Sequence, residues 1–194
     1  MQPFYKNKHL NTESMKMSEE QLVKKCLEKD TLAQKHLFDV YSKKMMGVCL
    51  RYSRDSDEAQ DVLQIGFIKV FEKLDMYNRT GSLEGWIRKI IVNTALDSIR
   101  KNKKFMNDVE IEKVDYQLHN YNEDAVDVLS AQDLLAVIQK MPVGFKTVFN
   151  MYVIEGYSHQ EIADELNISV NTSKSQLSRA RAHLQKVLTK EKVI

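Results

Sequence analysis

The C-terminal part of the chain carries cations without carboxylates. Between Lys174 and Lys190, both included, there are five Lys or Arg residues and no Asp or Glu. In a helix of about 100° per residue, the apolar residues of this segment share one side. The opposite side carries Asn171, Lys174, Ser175, Ser178 and Arg179. Donors and positive charge suit phosphates and base edges, whereas a solvated helix usually mixes both signs. This side predicts a helix that lies in the major groove of DNA; the alternative is an amphipathic helix with a basic, solvated face.

Constellations that could support catalysis are missing from the sequence. It contains no HExxH, GxxxxGK[ST] or GxSxG, and no carboxylate pair framed by apolar residues. The five His fall on separate predicted elements. Cys26 and Cys49 are too few for a disulfide framework and have no His at zinc-ligand spacing, so we expect two small buried hydrophobes. We therefore expect no enzyme activity, no metal, no cofactor and no small-molecule substrate.

Two helices are needed to present the cationic side. Ser158 and Glu161 form a capping box at the start of the first helix. Asn167 tolerates the left-handed conformation of a tight turn, and Ser169 can cap the second helix. The small Ala163 lets the two helices cross closely. This pattern predicts a helix-turn-helix.

The first half of the chain predicts four helices by its apolar periodicity. Ser18 and Gln21 form a capping box on the first, and Ser56 is expected to open the third. The fourth follows a polar loop and ends in the basic run RKNKK. A loop beside a basic helix end can hold an unstacked base and the DNA backbone. The alternative is a solvated helix terminus whose cations suit the helix dipole.

Composition favours an all-α protein. The 194 residues are 43% hydrophobic and 29% charged, and only six Gly and two Pro are present, which is too few turn residues for an all-β fold. Pro142 is expected to begin the helix that precedes the helix-turn-helix, and Gly156 to end it. No uncharged apolar stretch of about 18 residues and no secretory signal is found. We therefore expect a cytoplasmic protein that does not insert into membranes.

Charge divides the chain into blocks. Residues 105–133 hold one Lys and eight Asp or Glu, whereas the blocks on either side are mildly basic. This predicts two small helical domains, 18–104 and 130–194, joined by an acidic linker at 105–129 and preceded by a flexible N-terminus at 1–17. The linker is interpreted either as a soluble tether or as an acidic segment that occupies a nucleic-acid channel of a partner.

Three segments together resemble an extracytoplasmic-function sigma factor, the smallest class of the sigma-70 family. EGYSHQEIADELNISVNTSKSQLSRARAHL resembles region 4, DSDEAQDVLQIGFIKVFEKL resembles region 2.2, and GSLEGWIRKIIVNTALDSIRK resembles the segment that binds and melts the −10 element. The resemblance covers about residues 20–104 and 130–190. It implies a factor that binds core RNA polymerase and promoter DNA, and it leaves open whether an anti-sigma factor binds.

The resemblance also implies roles for individual residues. Contacts to the −35 element are implied for Thr172, Lys174, Ser175, Ser178 and Arg179. Contacts to the −10 element are implied for Asn78, Arg79, Thr80, Gly81, Ser82, Arg88, Asn93, Arg100 and Lys101. Docking on polymerase is implied for Asp61, Gln64 and Phe67. Three positions depart from the usual family residues: Ile65 replaces Glu, Asn171 replaces Gly and Ser173 replaces Val.

Other classes of protein fit the sequence less well. A conventional helix-turn-helix regulator with a helical dimerisation or sensor domain would bind a palindromic duplex by itself, as a dimer. A sigma mimic that only sequesters an anti-sigma factor would not need the cationic side. A helical hydrolase lacks a site.

Overall fold

A computed structural model describes residues 17–105 and 131–191, with side chains at 17–101 and 135–187. Within these ranges the chain is helical and has no β-strand. The N-terminal bundle consists of α1 (Glu19–Leu27), α2 (Thr31–Tyr52), α3 (Ser56–Glu72) and α4 (Leu83–Phe105), with a 3₁₀ turn at Leu74–Met76. The C-terminal bundle consists of α5 (Ala131–Gln139), α6 (Val143–Phe149), α7 (His159–Leu166) and α8 (Val170–Glu191). A π-helical turn, Asn150–Ile154, continues α6. The predicted all-α fold is confirmed. Most of the predicted N-terminus and of the acidic linker lies outside the described residues.

Side-chain caps set the starts of the N-terminal helices. The capping box of Ser18 and Gln21 is present on α1, as predicted. Asp30 accepts hydrogen bonds from two backbone amides at the start of α2. Helix α3 begins at Ser56, as predicted, and its cap is the residue before, since Asp55 Oδ1 accepts from the Glu58 amide at 2.8 Å. A carboxylate at this position also favours the positive end of the helix dipole.

The N-terminal bundle packs α2, α3 and α4 around one apolar core. Gly66 of α3 lies against Ile91 of α4, and a Cβ at Gly66 would stand 2.4 Å from Ile91 Cδ1. A larger residue at this position would therefore require the end of the Ile91 side chain to move. Cys26 and Cys49 are free and buried, and burial raises the pKa of their thiols to about 11 and about 12. Both behave as the predicted small hydrophobes.

The C-terminal bundle packs α5, α6 and α7 against the long helix α8. Pro142 has extended backbone and occupies the cap of α6, so the predicted first helical position is wrong by one residue. Its ring can stand there because the residue before the first turn makes no intrahelical amide hydrogen bond. Gly156 ends the π-helical turn with φ of 79°, which confirms its predicted role as a stop.

The two bundles share apolar core. Val148, Met151, Ile162 and Leu177 of the C-terminal bundle are buried in the same cluster as the core of α1–α4. Helix α2 packs against both α5 and α6. The described residues form one packed body in which the C-terminal bundle covers one end of α2. None of the helices in the described ranges is long and apolar enough to cross a bilayer.

Candidate nucleic-acid interface

Helices α7 and α8 form the predicted helix-turn-helix. Ser158 Oγ accepts from the Glu161 amide at 3.2 Å, and Glu161 Oε2 accepts from the Ser158 amide at 2.8 Å, which is the predicted capping box. Asn167 has φ of 52° and ψ of 52°, in the left-handed region. Ser169 Oγ accepts from the Thr172 amide at 2.9 Å and caps α8. The local residues therefore set both helix starts and the turn between them.

Helix α8 turns its cationic side to solvent. Leu177, Ala180 and Leu184 are buried on the inner side. The outer side exposes Asn171, Lys174, Ser175, Ser178 and Arg179. Thr172 is half-buried, and its carbonyl accepts from Ser175 Oγ at 2.9 Å. The side chains predicted to read DNA are thus displayed together on the outer surface of a helix whose inner side is anchored in the core.

A buried polar contact beneath α8 was not foreseen from the sequence. Ser173 is fully buried, and its Oγ lies 2.9 Å from His159 Nδ1 of α7. The His159 ring stacks on Tyr152, with centroids 4.4 Å apart. Partial burial lowers the pKa of His159, and the charges of Lys174 and Arg181 lower it further, so the ring is neutral near pH 7. The sequence did contain a signal for this contact, because Ser173 falls on the apolar side of the helical projection. A hydroxyl buried there requires a hydrogen-bond partner.

The loop Asn78–Ser82 is exposed and ordered by its own hydrogen bonds. Asn78 Oδ1 accepts from the Thr80 amide at 3.2 Å and from Thr80 Oγ1 at 2.8 Å. Tyr77 OH donates to the Gly81 carbonyl at 2.7 Å. Ser82 Oγ accepts from the Gly85 amide at 3.1 Å at the start of α4. Because every residue of the loop is exposed, the rim of the loop is open to a ligand.

Arg79 adopts a left-handed conformation in this loop, with φ of 62°. Its guanidinium contacts Glu20 of α1 at 2.6 Å. Both side chains are more than half exposed, so this ion pair is weak and screened by salt.

The predicted −10 residues of α4 lie next to the C-terminal bundle. Arg88 NH1 contacts Glu155 Oε2 at 3.2 Å, and Arg100 NH2 contacts Glu165 Oε2 at 3.0 Å. Asn93 is half-buried, and its Oδ1 is buried without a hydrogen-bond partner among the described residues. Lys101 is exposed. The structure thus spreads these residues around α4 and pairs two of their cations, Arg88 and Arg100, with carboxylates of the C-terminal bundle.

One of the three predicted docking residues on α3 is buried. Phe67 is only 2% exposed and packs edge-on against Phe38, with centroids 4.8 Å apart, so its ring belongs to the core. Asp61 and Gln64 are exposed, as a docking surface requires. Ile65 and Ile68 are 48% and 51% exposed. The helical projection did not separate Phe67 from its exposed neighbours, because α3 is apolar over a wide arc. Ile68 is the apolar surface residue that the sequence reasoning missed.

Two family profiles match the chain. "Sigma-70 region 2" matches residues 37–105 and "Sigma-70, region 4" matches residues 131–184. The chain is an extracytoplasmic-function sigma factor of the sigma-70 family. The two profiles together cover most of both bundles, and they place the helix-turn-helix in region 4 and α2–α4 in region 2.

Known proteins of similar length agree with this sigma-factor assignment. The RNA polymerase sigma-H factor of Pseudomonas aeruginosa is 26% identical over 88% of this chain and 93% of its own. The ECF RNA polymerase sigma factor SigW of Bacillus subtilis is 27% identical over 90% of this chain and 98% of its own. Among solved structures, the sigma factor RpoE of Bartonella quintana in complex with the anti-sigma factor NepR has a TM-score of 0.50, at 23% identity over 80% of this chain and 96% of the other. That likeness supports the fold.

Proposed function

We propose that this sigma factor brings core RNA polymerase to promoters by reading the −35 element with α8 and the −10 element with α4 and the loop before it. The observation that carries the proposal is the outer side of α8, where cations and hydrogen-bond donors stand without a carboxylate. The protein contributes recognition and melting of DNA and does not catalyse a reaction. It acts in the cytoplasm, where chromosome and polymerase meet.

At the −35 element, α8 lies in the major groove with its N-terminal half against the bases. Arg179 can donate two hydrogen bonds to a guanine, which is the commonest specific contact between a side chain and a base. Lys174 and the hydroxyls of Ser175 and Ser178 serve bases or phosphates. Asn171, which is exposed on this side, differs from the residue usual in the family, so the base preference is this protein's own.

At the −10 element, α4 supplies a basic track and the loop Asn78–Ser82 a polar pocket. Unstacking a base costs on the order of a few kcal/mol, which contacts to the extruded base must offset. Asn78 and Thr80 offer donors and acceptors at the loop rim, and Lys101 offers charge at the far end of α4. Contacts to the backbone from this track are independent of sequence, whereas the pocket selects the base.

Docking on polymerase uses the exposed side of α3. Ile65 and Ile68 provide apolar area, and Asp61 and Gln64 provide polar contacts beside it. An apolar centre within a polar rim is the usual composition of a protein interface. Binding of an anti-sigma factor stays a prediction.

Arg179→Ala tests the −35 assignment. Purified protein is added to core polymerase with fragmented genomic DNA, and the transcripts are sequenced. We expect specific starts that share two upstream boxes. Loss of a bidentate contact costs about 1–3 kcal/mol, so the variant should lose roughly ten- to hundredfold in −35-dependent initiation while still co-purifying with polymerase.

The matched control is Lys140→Ala, since Lys140 is an exposed cation of the same bundle away from α8's outer side. Equal losses of initiation in both variants would show that net positive charge, and not the base contact of Arg179, accounts for the effect. Binding of the protein alone to a palindrome, as a dimer, would favour a conventional regulator instead.

A further inference from the structure

Two aromatic residues close the loop Asn78–Ser82 at its base. The Tyr77 hydroxyl donates to the Gly81 carbonyl at 2.7 Å, and the Tyr77 ring packs on the Trp86 ring with centroids 5.5 Å apart. The Trp86 amide donates to the Ser82 carbonyl at 3.1 Å. The second half of the loop is therefore fixed by hydrogen bonds from the residues that flank it.

Tyr77 is itself anchored to the core of the N-terminal bundle. Its amide donates to the Leu74 carbonyl at 3.2 Å, and Leu74 is buried. The Tyr77 ring is half-buried, and helix α1 packs against the Leu74–Met76 turn that precedes it. The position of the hydroxyl is thus set by the core and by α1, and not by the exposed loop.

The Tyr77 hydroxyl has one proton and two acceptors within reach. Glu19 Oε1 of α1 lies 3.2 Å away, whereas the Gly81 carbonyl is closer and takes the proton. Partial burial raises the pKa of Tyr77, as does the charge of Glu19, while Arg79 opposes the shift. The phenol therefore stays a donor at neutral pH, with Glu19 as a second acceptor beside it.

The first turn of α1 also contacts the middle of the loop. Glu20 holds the guanidinium of Arg79, whose left-handed backbone is one that residues with a Cβ rarely adopt. Acidic residues in a first turn favour the helix dipole, which accounts for their presence but not for their partners. Glu19 and Glu20 precede the residues they contact by 58 and 59 positions, so both contacts are tertiary.

Helix α1 gives these two carboxylates a fixed position. The capping box of Ser18 sets the start of the helix, and Leu22, Val23 and Cys26 bury its inner side. The region 2 profile matches residues 37–105, so α1 lies before the matched segment. Support of the loop by α1 is therefore a property of the tertiary structure that the profile does not assign.

We propose that Tyr77 is a positioning residue for base capture at the −10 element, and that α1 supports the same loop through Glu19 and Glu20. The inference rests on the proposed role of this loop as the base pocket. A loop that is ordered before binding loses less conformational entropy when it binds. A loop that can re-pack accepts more partners, so loss of this support should reduce selection among bases.

Tyr77→Phe tests the positioning role, because it removes the bond to Gly81 and keeps the ring that packs on Trp86. Core polymerase loaded with the protein is mixed with a random pool of single strands about 12 nucleotides long, and bound strands are sequenced. Core polymerase alone gives the background. We expect the wild type to enrich a motif with one strongly preferred base, and the variant to lose about fivefold of that preference, as for one hydrogen bond.

The total amount of bound DNA separates positioning from a general loss of stability. Contacts to the DNA backbone are independent of sequence, so total binding by Tyr77→Phe should change less than about twofold. Partial unfolding would instead lower binding of all strands and leave the ratio between bases unchanged. The matched control is Tyr41→Phe, which removes the hydroxyl of a half-buried tyrosine of α2. An equal loss of preference in both variants, or none in Tyr77→Phe, overturns the inference.

Glu19→Gln combined with Glu20→Gln tests the support by α1. The preference for the captured base should fall about two- to fourfold, the size expected when exposed ionic contacts are lost. The matched control is Glu28→Gln with Glu72→Gln, two exposed carboxylates of the same bundle with the same change in net charge. Total binding should rise equally in both pairs, because both lose two negative charges. A preference that is unchanged in the α1 pair, or equally reduced in the control pair, overturns the role of α1.

Transcription with core polymerase is a separate readout. Specific transcripts together with a base preference that ignores Tyr77 would overturn the positioning role and leave the proposed function intact. A preference that Tyr77→Phe removes, without specific transcripts from the wild type, would retain the positioning role and overturn the function. Wild-type protein that enriches no base would also overturn the positioning role.

Discussion

The DNA-facing side of α8 depends on a polar contact directly underneath it. Ser173 is held by His159, and His159 in turn stacks on Tyr152. These three residues connect the π-helical turn, α7 and α8. A single hydrogen bond contributes about 1 kcal/mol, but an unpaired buried group costs more, so the pair is stabilising only while complete. At the residue scale, positioning of the DNA contacts is set by side chains that touch no DNA.

Ser173→Ala should lower the free energy of unfolding by roughly 1 kcal/mol, because it removes the partner of the His159 ring. Urea denaturation followed by circular dichroism measures the change. Ser175→Ala is the control, since the Ser175 hydroxyl is exposed and its loss should cost less than about 0.5 kcal/mol. Equal effects at the two serines would contradict a structural role for the His159 contact.

At the scale of elements, caps and turns decide where the helices begin and end. The capping boxes of α1 and α7 are both present as predicted, because their residues interact over three positions and need no tertiary partner. The start of α3 at Ser56 is also as predicted, although Asp55 and not Ser56 caps it, whereas the start of α6 was predicted one residue too early. Neighbouring polar residues, such as Asp55 and Ser56, compete for the cap, and propensity alone does not rank them.

Substitutions at Asn167 test the role of the turn between α7 and α8. Its left-handed backbone disfavours residues with a Cβ other than Asn or Asp by roughly 1–2 kcal/mol. Asn167→Ala should therefore destabilise the protein by about 1 kcal/mol and weaken −35 binding, whereas Asn167→Gly should match or exceed the wild type in stability. Thermal unfolding and binding to promoter DNA with polymerase measure both. If Asn167→Ala were as stable as the wild type, the left-handed backbone at this position would not disfavour alanine.

At the scale of the whole molecule, the two bundles are coupled by shared core and by the capped end of α2. Val148 and Met151 are buried among residues of the N-terminal bundle, and Lys146 bonds to Ser53 across the boundary. Bundles with a common core unfold together, whereas bundles joined only by a linker unfold separately. The stability of each half therefore includes the contact with the other.

Calorimetry measures this coupling. The wild type should unfold in one cooperative transition, because opening the interface exposes core of both bundles. Glu155→Lys should split the transition in two, since repulsion from Arg51 and Arg88 separates the bundles first. Two transitions already in the wild type would contradict this coupling.

Local sequence determined the helices, the helix-turn-helix and the displayed side of α8. Periodicity, caps and the left-handed Asn167 act between residues a few positions apart, so they can be read without a structure. The missing carboxylates between Lys174 and Lys190 likewise needed only the order of residues. The assignment of these segments to sigma regions 2 and 4 followed from their resemblance to the family, and the family profiles confirm it.

Only the tertiary structure decided which residues meet across the boundary of the bundles. Phe67 looks like its neighbours Ile65 and Ile68 in sequence, yet packing buries it and exposes them. Arg88 and Arg100 looked like free cations, and Glu155 and Glu165 like ordinary surface acids. Their pairing depends on the relative placement of segments more than 60 residues apart. Contacts at that separation depend on how whole helices pack, which no local pattern encodes.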